Sequence, residues 1–348
     1  MEKSIHINRP FGKVGLWACL GLLLFIGAAE AVVHIKPVQA QLLAPGTANM
    51  SRSFDIQLDR LNARVEQGER IDCIFIGSSR VLHGVDPNAI RKAYSNITGS
   101  DFKCQNFGVL GMGMKGSAET AGLLAKLYHP RLIIIGTGFM DIGVGLPDNA
   151  IAESPIVRYN SGDFNFDGWI TSSSLAFRDY LAEISYLAID NAHTQNDFLL
   201  YNSTKPDGFL PLNGHKADNL QNWNNLNAHN KIKTVFTRSV KKILALKKEN
   251  TQILFIEMPL RTSTFKAVPH AGGYRRVFED GINSVLQNSG SQMWLTQDLN
   301  IVPESGWYES NHMNVDGAET FSTWVGEQLG QAVKDGSLIL PEGSQTNP

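Results

Sequence analysis

The feature that most constrains this chain is a series of short apolar runs separated by helical stretches. Ile71–Ile76 (IDCIFI), Arg131–Ile135 (RLIII) and Gln252–Ile256 (QILFI) are almost continuously apolar, and Phe102–Val109 and Gln292–Leu295 are of similar length. Runs this short and this apolar are what strands buried on both faces of a sheet look like. Between and around them Asp55–Arg70, Asp86–Ser95, Ser117–Tyr128, Asn225–Lys248, Gly273–Leu286 and Asp316–Val333 read as helices. Strands alternating with helices predict βαβ crossovers. The expected fold class is therefore α/β, a three-layer α/β/α sandwich around a mostly parallel five-stranded sheet. No internal repeat is visible.

One region breaks the alternation. Residues 143–223 are rich in Asn, Asp, Gly, Ser and aromatics. A structureless loop of that length is improbable in a compact domain, so the stretch is expected to hold helices, among them Ser174–Ala188, and to cap the carboxyl ends of the strands, where open α/β sheets bind ligands. The Asp/Asn alternation at Asp163, Asn165 and Asp167 lacks the later glycine and terminal glutamate of a calcium loop, so it reads as a solvated turn and no metal is expected. Tyr159, Phe164, Phe166 and Trp169 suit a surface that stacks on sugar rings; they equally suit the core of the cap itself.

Val14–Val33 is a 20-residue apolar stretch interrupted only by Glu30. As a helix it rises about 30 Å, the thickness of a bilayer core. Lys3, Arg9 and Lys13 precede it, which by the positive-inside rule puts the N-terminus in the cytoplasm and the rest outside. A membrane anchor and a signal peptide cut near Val38-Gln39-Ala40 share these features, whereas the length and the basic flank argue against a buried core helix. The anchor and signal readings agree that the main domain works outside the cytoplasm. The expected layout is a cytoplasmic tail (1–13), an anchor or signal (14–33), a tether (34–55), one domain with a cap insertion (56–335) and a C-terminal tail (336–348).

Composition narrows the function. The formal net charge of −2 over 348 residues argues against a nucleic-acid coat, which needs concentrated positive charge. The 43% hydrophobic content is ample for a core. Three cysteines exclude a disulfide-dense scaffold and a tetrathiolate zinc site. Cys73 and Cys104 lie near the starts of strands expected to be neighbours. A disulfide between them is chemically permitted outside the cytoplasm, but its geometry is demanding and buried thiols are the plainer expectation.

The first strand candidate ends in Gly77-Ser78-Ser79-Arg80, placing a serine at the carboxyl edge of a buried strand, where a nucleophile on a tight turn can meet substrate. Near the far end, Glu309-Ser310-Asn311-His312 precedes the last helix. A carboxylate three residues before a histidine can support its imidazole from one short loop. A hydroxyl, a base and an acid that fixes the base's tautomer are the parts of serine catalysis. Among the nine histidines, His83, close to the serine turn, is the rival base. His6 and His34 flank the apolar stretch, His129 reads as a helix end, and His193, His215, His229 and His270 have no motif around them. Arg80, beside the nucleophile, either meets an anionic substrate or pairs with a nearby acid. Arg261, after Met258-Pro259-Leu260, is a second anion-site candidate.

These blocks together resemble the SGNH hydrolase (GDSL esterase/lipase) superfamily, and more narrowly its membrane-anchored bacterial branch of teichoic-acid D-alanyl transfer proteins and exopolysaccharide O-acetyltransferases. The resemblance covers roughly residues 70–140 and 250–330. It implies a flavodoxin-like sandwich with Ser79 as nucleophile, His312 as base and Glu309 as its orienter. It implies an oxyanion hole from the Ser79 and Gly111 N–H groups, Gly111 lying in the Asn106-Phe107-Gly108-Val109-Leu110-Gly111 block. The family's third block, Gly-x-Asn-Asp, stands here as Gly136-Thr137-Gly138-Phe139-Met140-Asp141. The oxyanion asparagine is missing, and Thr137 and Gly138 become candidate substrate-binding positions. The second departure is Glu309 in place of aspartate, which does the same work in other triads. By this resemblance the chain moves or removes acyl groups, acetyl above all, on a cell-envelope or secreted polysaccharide, alongside an integral-membrane acyl donor protein and without a cofactor. The lost oxyanion donor raises a second reading, a non-catalytic scaffold that binds glycan or organises a modification or secretion complex.

Overall fold

The computed structural model describes residues 11–33, 35, 51–142, 145–174, 176–177, 199–216 and 234–342. In chain order the helices and strands are α1 (Phe11–Val33), α2 (Arg52–Glu66), β1 (Cys73–Gly77), α3 (Ser79–Gly84), α4 (Pro87–Thr98), β2 (Cys104–Gly108), α5 (Met114–Tyr128), β3 (Leu132–Thr137), α6 (Asp148–Glu153), α7 (Pro155–Asn160), α8 (Phe166–Ser173), α9 (Thr234–Ala245), β4 (Gln252–Glu257), α10 (Thr262–Ala267), α11 (Ala271–Leu286), β5 (Gln292–Trp294) and α12 (Val315–Lys334). The five strands form one sheet in the order β2-β1-β3-β4-β5. Every pairing is parallel, not merely most of them.

Alternation along the strands builds two cores. Ile74, Ile76, Ile133, Ile135, Ile253 and Phe255 point to one face, where α2, α5, α9 and α11 cover them with residues such as Leu58, Leu124, Phe236 and Phe278. Cys73, Phe75, Leu132, Ile134, Leu254 and Ile256 point to the other, under α3, α4 and α12 through Val81, Ile90, Phe321 and Val325. Both faces are covered, which is why the strands read as unbroken apolar runs. Each fully buried side chain of this size contributes about 1.5–3 kcal/mol from apolar burial. Helix boundaries follow local chemistry. Asp86 caps α4, its carboxylate accepting from the Asn88 N–H at 2.9 Å, Pro87 opens the helix, and Gly99 ends it at φ 73°. Asn314 caps α12, accepting from the Gly317 N–H at 3.0 Å.

The described part of the cap holds α6, α7 and α8. Asn165 caps α8, accepting from the Gly168 N–H at 2.6 Å, and Asp163 pairs with Arg158 at 2.6 Å. The acid–amide stretch is thus a turn that closes α7 onto α8. Phe164 and Phe166 are 74% and 62% exposed and Trp169 is 43% exposed, so these aromatics form surface rather than the core of the cap. Most of Ser174–Ala188, residues 225–233 of the expected helix Asn225–Lys248, the tether over 36–50, Val38-Gln39-Ala40 and His6, His34, His193 and His229 lie outside the described residues.

Val14–Val33 is long and apolar enough to cross a membrane, a test that a signal sequence also meets. Most of α1 is exposed, but Val33 is buried, and the Glu30 carboxylate accepts hydrogen bonds from Ser174 Oγ at 2.6 Å and the Ala176 N–H at 3.1 Å. Cys73 and Cys104 sit at paired positions of β1 and β2 as buried free thiols, and burial pushes the Cys73 thiol well above its usual value.

Candidate active site

Three glycines in register prepare the site. Gly77 ends β1 and is paired with Gly108 of β2 and Gly136 of β3. A Cβ on Gly77 would stand 2.5 Å from Val81 Cγ2, one on Gly136 2.3 Å from the same atom, and one on Gly108 2.2 Å from the Leu82 backbone nitrogen. Only a row without side chains lets α3 lie directly on the carboxyl edge of the sheet. Ser78 caps this helix, and Ser79 is its first residue. At that position no intrahelical acceptor exists for the Ser79 N–H.

The base arrives from the other end of the chain. Trp307 and Met313, both buried, form an isolated antiparallel bridge, and the Tyr308 N–H donates to the His312 carbonyl at 2.9 Å. Glu309–His312 is therefore a tight loop pinned at its base and followed at once by the Asn314 cap. His312 Nε2 lies 2.7 Å from Ser79 Oγ. Its Nδ1 lies 2.5 Å from Glu309 Oε1, and the Glu309 carboxylate also accepts from the His312 N–H at 3.0 Å and from Ser310 Oγ at 3.0 Å. A carboxylate against Nδ1 assigns the proton there and leaves Nε2 to accept from the serine. Burial alone pushes the Glu309 carboxyl up, but the hydrogen bond and charge of His312, with the Ser310 hydroxyl, outweigh it and hold the group below its ordinary value. With its amide turned to donate, Asn311 Nδ2 is 3.1 Å from Glu309 Oε2.

The second block shapes the helix and the facing loop. Asn106 is fully buried. Its Nδ2 donates to the Val81 and Val85 carbonyls at 2.8 and 2.7 Å, and its Oδ1 accepts from the Gly108 N–H at 2.8 Å, so it ties α3 to the end of β2. Beyond it the chain turns at Gly111, whose φ of 70° falls in the left-handed region that glycine adopts without strain. The turn is held by Asp148, fully buried, whose carboxylate accepts from the Gly113 N–H at 2.7 Å and the Gly145 N–H at 3.0 Å. Burial pushes the Asp148 carboxyl up against the pull of these amides.

Between these parts lies a cleft of about 190 Å³. Ser79 and Arg80 line it from the end of β1, Gly111 to Gly113 from the end of β2, Met140 and Asp141 from the end of β3, and Asn311 from the histidine loop. Arg80 is 4% exposed and ion-paired with Asp141, so of its two expected roles the acid partner is present. Thr137 and Gly138 are both buried and do not line the cleft. Arg261 pairs with Glu304 at 2.5 Å and also stands apart from it. His83 is buried against His312, edge to face with ring centroids 5.1 Å apart, and its Nδ1 is bonded to the Leu210 carbonyl at 2.8 Å. Burial holds its pKa down at about 4. It is Nε2 of His312, not the rival His83, that stands at the serine. His129 ends α5 as expected. Among the described residues no group of three or more His, Cys, Asp or Glu side chains is placed to hold a metal ion.

No sequence signal assigns a role to Asp141, Asp148, Asn311 or the side chain of Asn106. Asp141 and Asn311 sat inside quoted motifs, but Asp148 meets its partner Gly113 only through the fold.

No known family profile and no curated protein sequence matches the chain. Solved structures similar to it include a protein of Parabacteroides merdae described as a "putative GDSL-like lipase", with a TM-score of 0.36 and 12% identity, covering 75% of this chain and 97% of that one.

Proposed function

We propose that the chain is a membrane-anchored serine acyl-transfer enzyme, an O-acetyltransferase or esterase acting on a cell-envelope or secreted polysaccharide. Ser79 is the nucleophile, His312 the general base and Glu309 the carboxylate that orients it. The observation that carries this reading is the unbroken contact from Ser79 Oγ to His312 Nε2 at 2.7 Å and from His312 Nδ1 to Glu309 at 2.5 Å, beside an open cleft at the carboxyl edge of a parallel sheet. Ser79 Oγ attacks the acyl carbonyl carbon while its proton passes to Nε2. The carbonyl electron pair moves onto oxygen, held by the Ser79 and Gly111 N–H groups. Collapse expels the first alcohol, which takes the proton from Nε2 and leaves an acyl-serine. A sugar hydroxyl or water then repeats the steps in reverse. Glu309 stabilises the imidazolium that forms in each half.

A cleft of about 190 Å³ is smaller than most drug-sized pockets, about 300–1,000 Å³, which supports a short acyl group such as acetyl. The exposed rings of Phe164, Phe166 and Trp169 supply faces on which a sugar can stack. The hydrogen bonds from Ser174 and Ala176 to Glu30 support an apolar helix that stays with its domain; the reading as an anchor in a bacterial inner membrane with the domain on the periplasmic side rests on Lys3, Arg9 and Lys13 ahead of the apolar stretch. By the resemblance alone, the proposed partner is an integral-membrane acyl donor protein.

Ser79→Ala tests the proposal. Hydrolysis of p-nitrophenyl acetate should vanish, and mass analysis of the envelope polysaccharide should show the acyl change seen on removing the protein, at normal protein abundance. Full complementation by Ser79→Ala would instead make the protein a non-catalytic scaffold.

A further inference from the structure

The Arg80–Asp141 pair is unused in these steps. We infer that the Arg80 guanidinium is a third oxyanion donor of the site, acting with the Ser79 and Gly111 N–H groups on the oxygen of the tetrahedral intermediate. The inference rests on the reading of Ser79 as an acyl-transfer nucleophile. The guanidinium is 4% exposed, yet Arg80 lines the same cleft as Ser79 and Gly111. It is fixed at both prongs of its fork. Nη1 donates to the Met258 carbonyl at 2.8 Å and Nη2 pairs with Asp141. A planar donor held in this way meets developing charge without reorganising, which is what makes such donors effective.

Room for the guanidinium is made at Gly138. A Cβ there would stand 3.0 Å from Nη1 and 3.3 Å from Nη2. A side chain at position 138 would press on the guanidinium, which would have to give by a few tenths of an ångström. Position 138 is also where the third block would have set an asparagine, so the arginine stands beside the start of the missing carboxamide. Asp141 balances the arginine charge, so the proposed donor brings no net positive charge to the cleft. In the reaction Ser79 Oγ bonds to the acyl carbon, the serine proton goes to His312 Nε2, and the carbonyl π pair becomes a lone pair on oxygen. Arg80 donates a hydrogen bond to that oxygen and keeps its proton.

The test compares p-nitrophenyl acetate hydrolysis by the full-length protein in detergent for the native chain, Ser79→Ala, the neutral pair Arg80→Gln/Asp141→Asn, and Arg80→Ala with and without Gly138→Asn. Thermal melting checks that each is folded, and the neutral pair guards against unfolding by an unpaired buried acid. In the neutral pair kcat should fall about a hundredfold, with KM within about threefold of native. Gly138→Asn should recover about tenfold or more in the Arg80→Ala background, because a carboxamide then enters the vacated space. A folded neutral pair within about threefold of native kcat, with Ser79→Ala inactive, overturns the role of Arg80 alone. So does a double variant no faster than Arg80→Ala. A native chain no faster than Ser79→Ala overturns the acyl-transfer reading itself, and this inference with it.

Discussion

Replacing Asn106 with alanine isolates what holds the nucleophile's helix in place. Three carbonyls lie within reach of Asn106 Nδ2, but the loss is not the same at each. The Val81 carbonyl keeps the Val85 N–H at 3.1 Å and the Leu82 carbonyl keeps the Leu210 N–H at 3.1 Å. The Val85 carbonyl and the Gly108 N–H lose the partners that Asn106 gave them. Among the described residues β2 is an edge strand of the sheet, and no further strand among them takes the Gly108 N–H. At roughly 1–3 kcal/mol for each stranded buried group, Asn106→Ala should cost about 2–6 kcal/mol. The lower half of that range is expected, because the vacated carboxamide space is polar enough to admit water. Urea unfolding of the full-length protein in detergent, followed by tryptophan fluorescence, should show a lower midpoint at an unchanged slope. Turnover should fall as well, since α3 carries Ser79 and a displacement of about 1 Å at a reacting group can cost a hundredfold. A variant within about 0.5 kcal/mol of native, turning over normally, would refute the view that Asn106 clamps the nucleophile helix.

Three further perturbations test other parts of the site. Burial holds His83 at a pKa of about 4 against an ordinary 6.5, so the unfolded chain takes up the proton first. Stability should be intact above pH 6.5 and fall by about 3 kcal/mol in all as pH drops to 4, and His83→Gln should flatten that part of a pH series of urea midpoints. Glu309→Gln keeps the shape of the loop but removes the carboxylate that fixes the His312 tautomer. In steady-state assays kcat should fall about a hundred- to ten-thousandfold with little change in KM. Asp148→Ala strands the Gly113 and Gly145 N–H groups at a cost of about 2–6 kcal/mol, so it should lower the melting temperature and, by loosening the turn at Gly111, reduce kcat more than it raises KM.

The fold was legible because its physics is local and repeated. Buried parallel strands have to be apolar on both faces, and Ile133, Ile134 and Ile135 show it without any partner in view. Helix α4 was read as Asp86–Ser95 from its pattern, and the structure carries it to Thr98, where Gly99 ends it. The elements missed were short. α3 begins at the nucleophile itself, where Gly-Ser-Ser suggests only a turn, and α10 spans six residues with too little length for a period. Within the site, Ser79, His312 and Glu309 each carried a sequence signal because serine chemistry demands those groups near a strand end and a helix start. Asp148 carried none, since an acid between a loop and a helix is common and its value comes from two amides that only the fold brings to it. Arg80 was visible, but its partner was not. Choosing between substrate and acid required knowing that Asp141 turns back toward the end of β1.

The glycine row shows why three weak motifs become specific together. Gly77, Gly108 and Gly136 each end an apolar run, and taken singly each is an ordinary strand-end glycine. Their register across β2, β1 and β3 makes them one feature, a shelf from which every side chain has been removed. Val81 and Leu82 rest on that shelf at distances that no Cβ would permit. This seats Ser79 low on the sheet edge, within reach of a histidine that lies 233 residues away in the chain. Gly138 extends the same logic by one step, leaving the space beside the Arg80 guanidinium uncrowded. An alanine at Gly108 would meet backbone rather than a yielding side chain. It would lift the whole of α3, and relief by repacking is closed to it because the obstacle is the Leu82 main chain. The spacing of the glycines therefore sets the height of the nucleophile, and the loop at His312 is built to meet it there.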